Sequence, residues 1–150
     1  MATKRQKKEA TSLAELQGLL RGAGLRSTGP RVAVLRDLLG RAAPASHADL
    51  CDALRRDGFD RATLYRNLID LADAGIVSRV DLGDHVWRFE VKRRKGDHVA
   101  NHPHFVCSAC GVVSCLPDVA VRITRGPSAP RSLASKDVAI QLTALCDACV

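Results

Sequence analysis

Asp60-Arg-Ala-Thr-Leu-Tyr-Arg-Asn-Leu-Ile-Asp-Leu-Ala-Asp-Ala-Gly75 runs directly into Ile76-Val-Ser-Arg-Val-Asp81, then Leu82-Gly-Asp-His85, then Val86-Trp-Arg-Phe-Glu-Val91. Leu64, Leu68 and Leu71 recur at helical spacing. Asp60 is a capping residue, and Gly75 suits the left-handed position after a helix. The two runs that follow are short and alternating, and Gly83-Asp84 between them predicts a β-hairpin. Upstream, Ser12-Leu-Ala-Glu15 is a capping box opening a helix with Leu13, Leu16, Leu19 and Leu20 on one stripe, ended by Gly22 and Gly24. Thr28-Gly-Pro30 starts a second helix that turns Val32, Leu35, Leu38 and Leu39 inward. Ala43-Pro44-Ala45 separates it from a third, capped by Ser46, carrying Leu50, Cys51 and Leu54 and closing at Gly58. Three helices followed by a two-stranded wing are the winged form of helix-turn-helix. In that form the helix ahead of the wing lies in the major groove.

Beyond the hairpin the composition changes. Lys92 to Ala100 is a charged, Gly-containing hinge, and His102-Pro-His-Phe-Val-Cys107 reads as a strand leading into Cys107-Ser-Ala-Cys110-Gly111. Val112 to Leu116 is a second strand, Asp118 to Ile123 is weakly helical or irregular, and Gly126 to Pro130 is a loop. Val138 to Leu145 alternates as a last strand into Cys146-Asp-Ala-Cys149. The predicted fold class is therefore α+β. Residues 1–11 form a basic tail, 12–91 a winged-helix DNA-binding domain, 92–101 a hinge, and 102–150 a small α/β dimerisation domain with a four-cysteine zinc site.

Two Cys-x-x-Cys pairs supply the four thiolates of a closed tetrahedral site, so Cys107, Cys110, Cys146 and Cys149 are assigned one structural zinc per chain. A redox dithiol or a disulfide is the competing use of such pairs. A dithiol enzyme, however, places its pair at a helix N-terminus, and neither pair here leads into a helical pattern. Cys51 sits on an apolar helical stripe and reads as core.

The 150 residues are 46% hydrophobic but only 3% aromatic, so the core is aliphatic and small domains of this kind gain from a metal staple and dimerisation. No apolar run approaches the roughly 18–20 residues that span a bilayer, and the N-terminus lacks a signal-peptide core. The expectation is a cytoplasmic protein with reduced thiols, no membrane partner and no small-molecule substrate. Net charge is +7, with clusters at Lys4, Arg5, Lys7, Lys8 and at Lys92, Arg93, Arg94, Lys95. Such clusters are either solvated tails or attractors of a polyanion. On the helix at 61–68, Arg61, Thr63, Tyr65, Arg66 and Asn67 are residue types that reach phosphates and base edges. Taken alone this is an ordinary solvated helix face; its place ahead of a wing favours double-stranded DNA.

His102 and His104 sit two apart, so on a strand both rings leave one face. Folding back through the Cys107–Cys110 turn brings Cys115 opposite His104. With Glu90 at the end of the wing as a fourth ligand, these residues make a candidate second metal site. His47 joins it if the two domains close on each other. His85 and His98 read as solvated.

The whole pattern resembles the ferric uptake regulator family of bacterial repressors. The resemblance runs through Leu25-Arg-Ser-Thr-Gly-Pro-Arg31, Ala62-Thr-Leu-Tyr-Arg66, Leu71-Ala-Asp-Ala-Gly75 and Arg88-Phe-Glu90. It continues through His102-Pro-His-Phe-Val-Cys-Ser-Ala-Cys-Gly111 to Cys146-Asp-Ala-Cys149. It implies a homodimer gripping an inverted repeat when a regulatory metal occupies His47, Glu90, His102 and His104 with a carboxylate at the position of Cys115. Arg31 joins the candidate DNA contacts. Cys115 departs from that pattern, and a thiolate there favours zinc over iron or manganese as the second metal. Pro103 stands where the family commonly has Asp, and Val138 where it commonly has His. The expected function is a metal-responsive repressor of metal-homeostasis genes, zinc-sensing ahead of iron- or peroxide-responsive. A thiol oxidoreductase and a zinc-stapled protein-binding module are the readings from other classes.

Overall fold

The computed structural model describes residues 11–92, 102–134 and 138–150. The basic tail and all of the hinge except Lys92 lie outside these residues, apart from Thr11 at the end of the tail.

The helix α1 (Leu13–Gly22) begins at the capping box: Ser12 accepts from the Glu15 backbone N–H, and the Glu15 carboxylate accepts in return from Ser12. Its buried face is Leu16 and Leu20, while Leu13 is half exposed. The helix α2 (Gly29–Gly40) starts with Pro30 in its first turn, where a missing N–H leaves no bond unmade. The helix α3 (His47–Ala53) carries a second capping box, Ser46 with Asp49, and runs through a 3-10 turn (Arg55–Asp57) to a left-handed Gly58. The helix α4 (Arg61–Asp73) is capped by Asp60, whose carboxylate accepts from the Thr63 N–H at 2.9 Å.

A short strand β1 (Ala45–Ser46) pairs with β3 (Trp87–Val91), and β2 (Val77–Asp81) flanks β3 on its other side, giving the antiparallel order β1-β3-β2. The segment at 43–45 reads as a separator in sequence. Two residues are too few to show alternation, so only tertiary pairing with Arg88 and Phe89 makes them a strand. Leu16, Leu20, Val34, Leu35, Leu50, Leu64, Leu68, Leu71, Val77 and Phe89 close one core beneath this sheet. Each of these side chains contributes on the order of 1.5–3 kcal/mol of burial.

The second sheet has order β5-β4-β6, built from β4 (His104–Cys107), β5 (Val113–Cys115) and β6 (Gln141–Ala144). The β4–β5 pairing is antiparallel and the β4–β6 pairing parallel. Residues 118–123 are irregular and exposed, and a 3-10 turn spans Arg131–Ala134. Within 102–150, only Pro103, His104 and Cys107 are buried among the described residues. The apolar side chains of Val112, Val119, Val121, Ile123, Leu142 and Leu145 face outward.

Candidate metal centres and nucleic-acid face

The turn after β4 folds the first cysteine pair back on itself. The Gly111 N–H donates to the Cys107 carbonyl at 3.0 Å, and Gly111 takes φ 72°, a left-handed backbone that glycine adopts without strain. β6, lying parallel to β4, delivers the second pair to the same end of the sheet, where the Cys149 N–H donates to the Cys146 carbonyl at 2.8 Å. The four sulfurs of Cys107, Cys110, Cys146 and Cys149 come within 4.8 Å of one another. Zn–S bonds of about 2.3 Å in a tetrahedron set sulfurs about 3.8 Å apart. The Cys110 and Cys146 sulfurs stand at 3.8 Å. The donor set therefore fits a closed zinc site in both ligand type and edge length.

Electrostatics in this cluster are divided. Backbone N–H groups of Cys110 and Cys146 lower the Cys107 thiol to about 6. The Cys146 and Cys110 side chains, by contrast, push Cys149 up to about 12. Four thiols this close cannot all ionise in each other's field without a cation among them. Neither pair opens a helix, so the helix-terminus activation of a dithiol redox enzyme has no counterpart here.

The second cluster spans the two sheets. Glu90 comes from β3, His102 from just ahead of β4, His104 from β4 and Cys115 from β5, with their ligand atoms all within 4.8 Å of one another. Cross-strand pairing of His104 with Cys115 places both side chains on one face. His104 Nε2 lies 3.2 Å, and His102 Nε2 3.5 Å, from Glu90 Oε2. Burial raises the Glu90 carboxyl, but the His104 hydrogen bond and the fields of both imidazoles outweigh it, and the group ends below its ordinary value. His102 Nε2 is a buried nitrogen with no hydrogen-bond partner. A buried nitrogen without a proton partner, beside a carboxylate, an imidazole and a thiol, is the donor chemistry of a mixed nitrogen, oxygen and sulfur metal site.

His47 is not brought to this cluster. Its Nε2 lies 2.8 Å from the Arg61 carbonyl oxygen and 3.3 Å from Cys51 Sγ, and its ring meets Tyr65 edge-on with centroids 5.4 Å apart. The His47/Cys51 separation of one helical turn is the sequence signal for that pairing.

On α4, Arg61, Tyr65 and Arg66 are exposed, Tyr65 by 47%. Thr63 is half buried and its hydroxyl donates to Asp60. Asn67 departs from the expected outward face. It is 6% exposed, and its amide donates back to the Thr63 carbonyl at 2.8 Å, four residues earlier. Arg31 is likewise taken into the structure: its guanidinium pairs with Asp70 of α4 and donates to the Arg26 carbonyl at 2.9 Å. Both side chains hold α4 in place and leave the outward face to Arg61, Tyr65 and Arg66.

One contact between the sheets had no signal in the sequence. Gln141 at the start of β6 donates through Nε2 to the Leu82 carbonyl in the wing turn at 3.0 Å. An alternating strand says which residues share a face but not what that face meets.

The ferric uptake regulator family model matches residues 22–129. A peroxide-responsive repressor, PerR, of Staphylococcus aureus is 34% identical over 96 residues, which is 63% of this chain and 61% of that protein. The chain thus matches less than two thirds of that relative's length. The ferric uptake regulator of Pseudomonas aeruginosa with manganese superposes with TM-score 0.54 at 33% identity, covering 67% of this chain and 73% of that one. A zinc uptake regulator complexed with zinc and DNA superposes with TM-score 0.56 over 91% of each chain at 22% identity, a likeness of fold.

Proposed function

This chain belongs to the ferric uptake regulator family, and from that premise we propose that it is a zinc-responsive, DNA-binding transcriptional repressor of metal-homeostasis genes. Members of the family are transcriptional regulators rather than enzymes. In this proposal the protein acts in the cytoplasm as a homodimer on an inverted-repeat operator. Its α4 face, with Arg61, Thr63, Tyr65 and Arg66, is presented to the major groove. Among the described residues no helix is long and apolar enough to cross a membrane.

The observation that carries the proposal is the composition of the second cluster: Glu90 belongs to the wing, His104 and Cys115 to the C-terminal sheet, and His102 to the chain just ahead of it. A dication there would supply the positive charge that holds a carboxylate, two imidazoles and a thiolate together. The four residues would then tie the wing, and with it α4, to the second sheet. The Cys107, Cys110, Cys146, Cys149 centre has the separate task of holding β4 and β6 together. Exposed apolar side chains on the C-terminal part suit burial against a second copy, and two-fold symmetry in the protein calls for a two-fold operator.

Zinc is favoured as the regulatory metal by the Cys115 sulfur. Identity to PerR favours the second reading, an iron- or peroxide-responsive regulator. Anaerobic titration of zinc, iron and manganese into the zinc-stapled protein, followed by anisotropy on selected duplex DNA, tests both. Zinc should promote binding at the lowest free concentration. Iron acting at lower free concentration than zinc, with loss of binding on peroxide addition, would replace the zinc assignment. DNA binding indifferent to all three metals would remove metal response altogether.

A further inference from the structure

A row of three side chains crosses the C-terminal sheet. Cys115 on β5 pairs with His104 on β4, and His104 pairs with Gln141 on β6. Paired residues on neighbouring strands leave the same face. All three reach the wing. Cys115 Sγ is 3.7 Å and His104 Nε2 3.2 Å from Glu90 Oε2, while Gln141 Nε2 is 3.0 Å from the Leu82 carbonyl oxygen. The first two are ligands of the candidate regulatory centre; Gln141 is not among them. Leu82 is only 7% exposed although it lies in the hairpin turn.

We propose that Gln141 is a positioning residue that couples occupancy of the Glu90, His102, His104, Cys115 centre to the orientation of the DNA-binding face. The proposal rests on the metal-dependent function given above. Glu90 lies on β3 toward the end of the hairpin remote from the turn, and Leu82 lies in the turn itself. Attachment at Glu90 alone leaves the hairpin free to pivot about that point. A second attachment at the other end removes the pivot. Val77 and Phe89 of the hairpin share a core with Leu64, Leu68 and Leu71 of α4, so a fixed wing is a fixed recognition helix. The register that sets His104 beside Gln141 also makes the two attachments interdependent, because ordering His104 orders the strand next to it.

The test uses the full chain with the four-thiolate centre loaded, zinc as the regulatory metal, and a duplex selected by the wild-type protein. Gln141→Met keeps the side-chain length and removes the amide donor. The variant should retain both sets of cobalt–sulfur absorption bands and the wild-type affinity for DNA when regulatory metal is withheld. Its metal-induced gain in DNA affinity should fall by roughly five- to tenfold, and DNA-induced tightening of zinc by the same factor. Gln141→Lys, which restores a long donor, should recover most of the gain. A purely structural glutamine would lower melting temperature with the gain ratio preserved, which overturns the proposal. Loss of the second cobalt band in Gln141→Met also overturns it, since the residue then acts in assembling the centre. If the wild-type protein itself shows no metal-induced gain, the function proposed above fails first and the coupling falls with it.

Discussion

Cys115 is the residue on which the choice of metal turns. Its sulfur lies 3.7 Å from Glu90 Oε2 and opposite His104, on the face of the sheet turned to the wing. We expect Cys115→Ser to delete only the mixed-ligand band of the cobalt-substituted protein and to weaken metal-dependent DNA binding, with the four-thiolate band and the fold retained. An unchanged spectrum would make Cys115 an ordinary half-buried thiol. Arg66 decides the reading of the α4 face. Arg66→Ala should weaken operator binding by roughly 1–3 kcal/mol if the guanidinium reads a base edge; a phosphate contact would instead lower the salt slope by about one. Unchanged affinity and slope would remove α4 from the interface. Asn67 offers the contrast. Its amide is spent on the Thr63 carbonyl inside the protein. Asn67→Ala should therefore show first as a loss of stability, measured by denaturant midpoint.

At the scale of elements, the caps and turns carry a pH dependence of definite sign. The Arg88 guanidinium beside Asp84 lowers that carboxyl to about 2 from an ordinary value of 3.8, and the Thr63 hydroxyl and N–H hold Asp60 below its ordinary value. A carboxylate depressed by folding stabilises the native state fully above its unfolded value, and that contribution disappears as pH falls through the folded one. The wing turn should thus weaken between about pH 4 and pH 2, and the start of α4 should weaken as pH falls below about 4. Stability curves of wild type and Asp84→Asn should converge at the acid end of that window; a constant gap throughout would contradict it. Asp60→Ala should lower the denaturant midpoint through the lost cap. These elements were legible because their signals are local: Ser12 with Glu15, Asp60 before Leu64, and Gly58 and Gly75 after their helices. The strand at Ala45–Ser46 was not, since it exists only through Phe89 and Arg88, more than forty positions away. His47 lies outside the second cluster for a similar reason. Spacing within one helix is written in the sequence, but which domain a ring turns toward is set by packing against Tyr65. The two groups of four candidate ligands could be listed from the sequence because ligand chemistry names its residues wherever the chain carries them.

For the whole molecule, the decisive feature is how little of the C-terminal part is buried within one chain. If the four-thiolate centre holds structural zinc, Cys107→Ser or Cys149→Ser should abolish stable dimers, because metal-binding energy on the order of 10 kcal/mol would be folding energy. Retention of a wild-type melting temperature and a full zinc equivalent would make the four-thiolate centre dispensable. Leu142→Asp on β6 should shift sedimentation from dimer toward monomer with the winged helix intact; unaltered dimerisation would place the interface elsewhere. Random-duplex selection should return an inverted repeat, and a solitary asymmetric half-site would count against the two-fold arrangement.

The parallel pairing of β4 with β6 has a kinetic consequence. The helical core closes on apolar burial alone, whereas the end of the second sheet where β4 meets β6 gathers four thiols that a cation must hold together. Refolding from denaturant should accordingly be biphasic: a fast phase in which Phe89 is buried, and a slow phase whose rate rises with zinc concentration as the sulfurs at positions 146 and 149 are captured. If the proposed function holds, the same order leaves a period during synthesis in which α4 is already formed while the second sheet is not. On that proposal, nascent chains in the interval would be DNA-binding modules without their regulator, and the length of the interval would be set by how fast the metal is delivered.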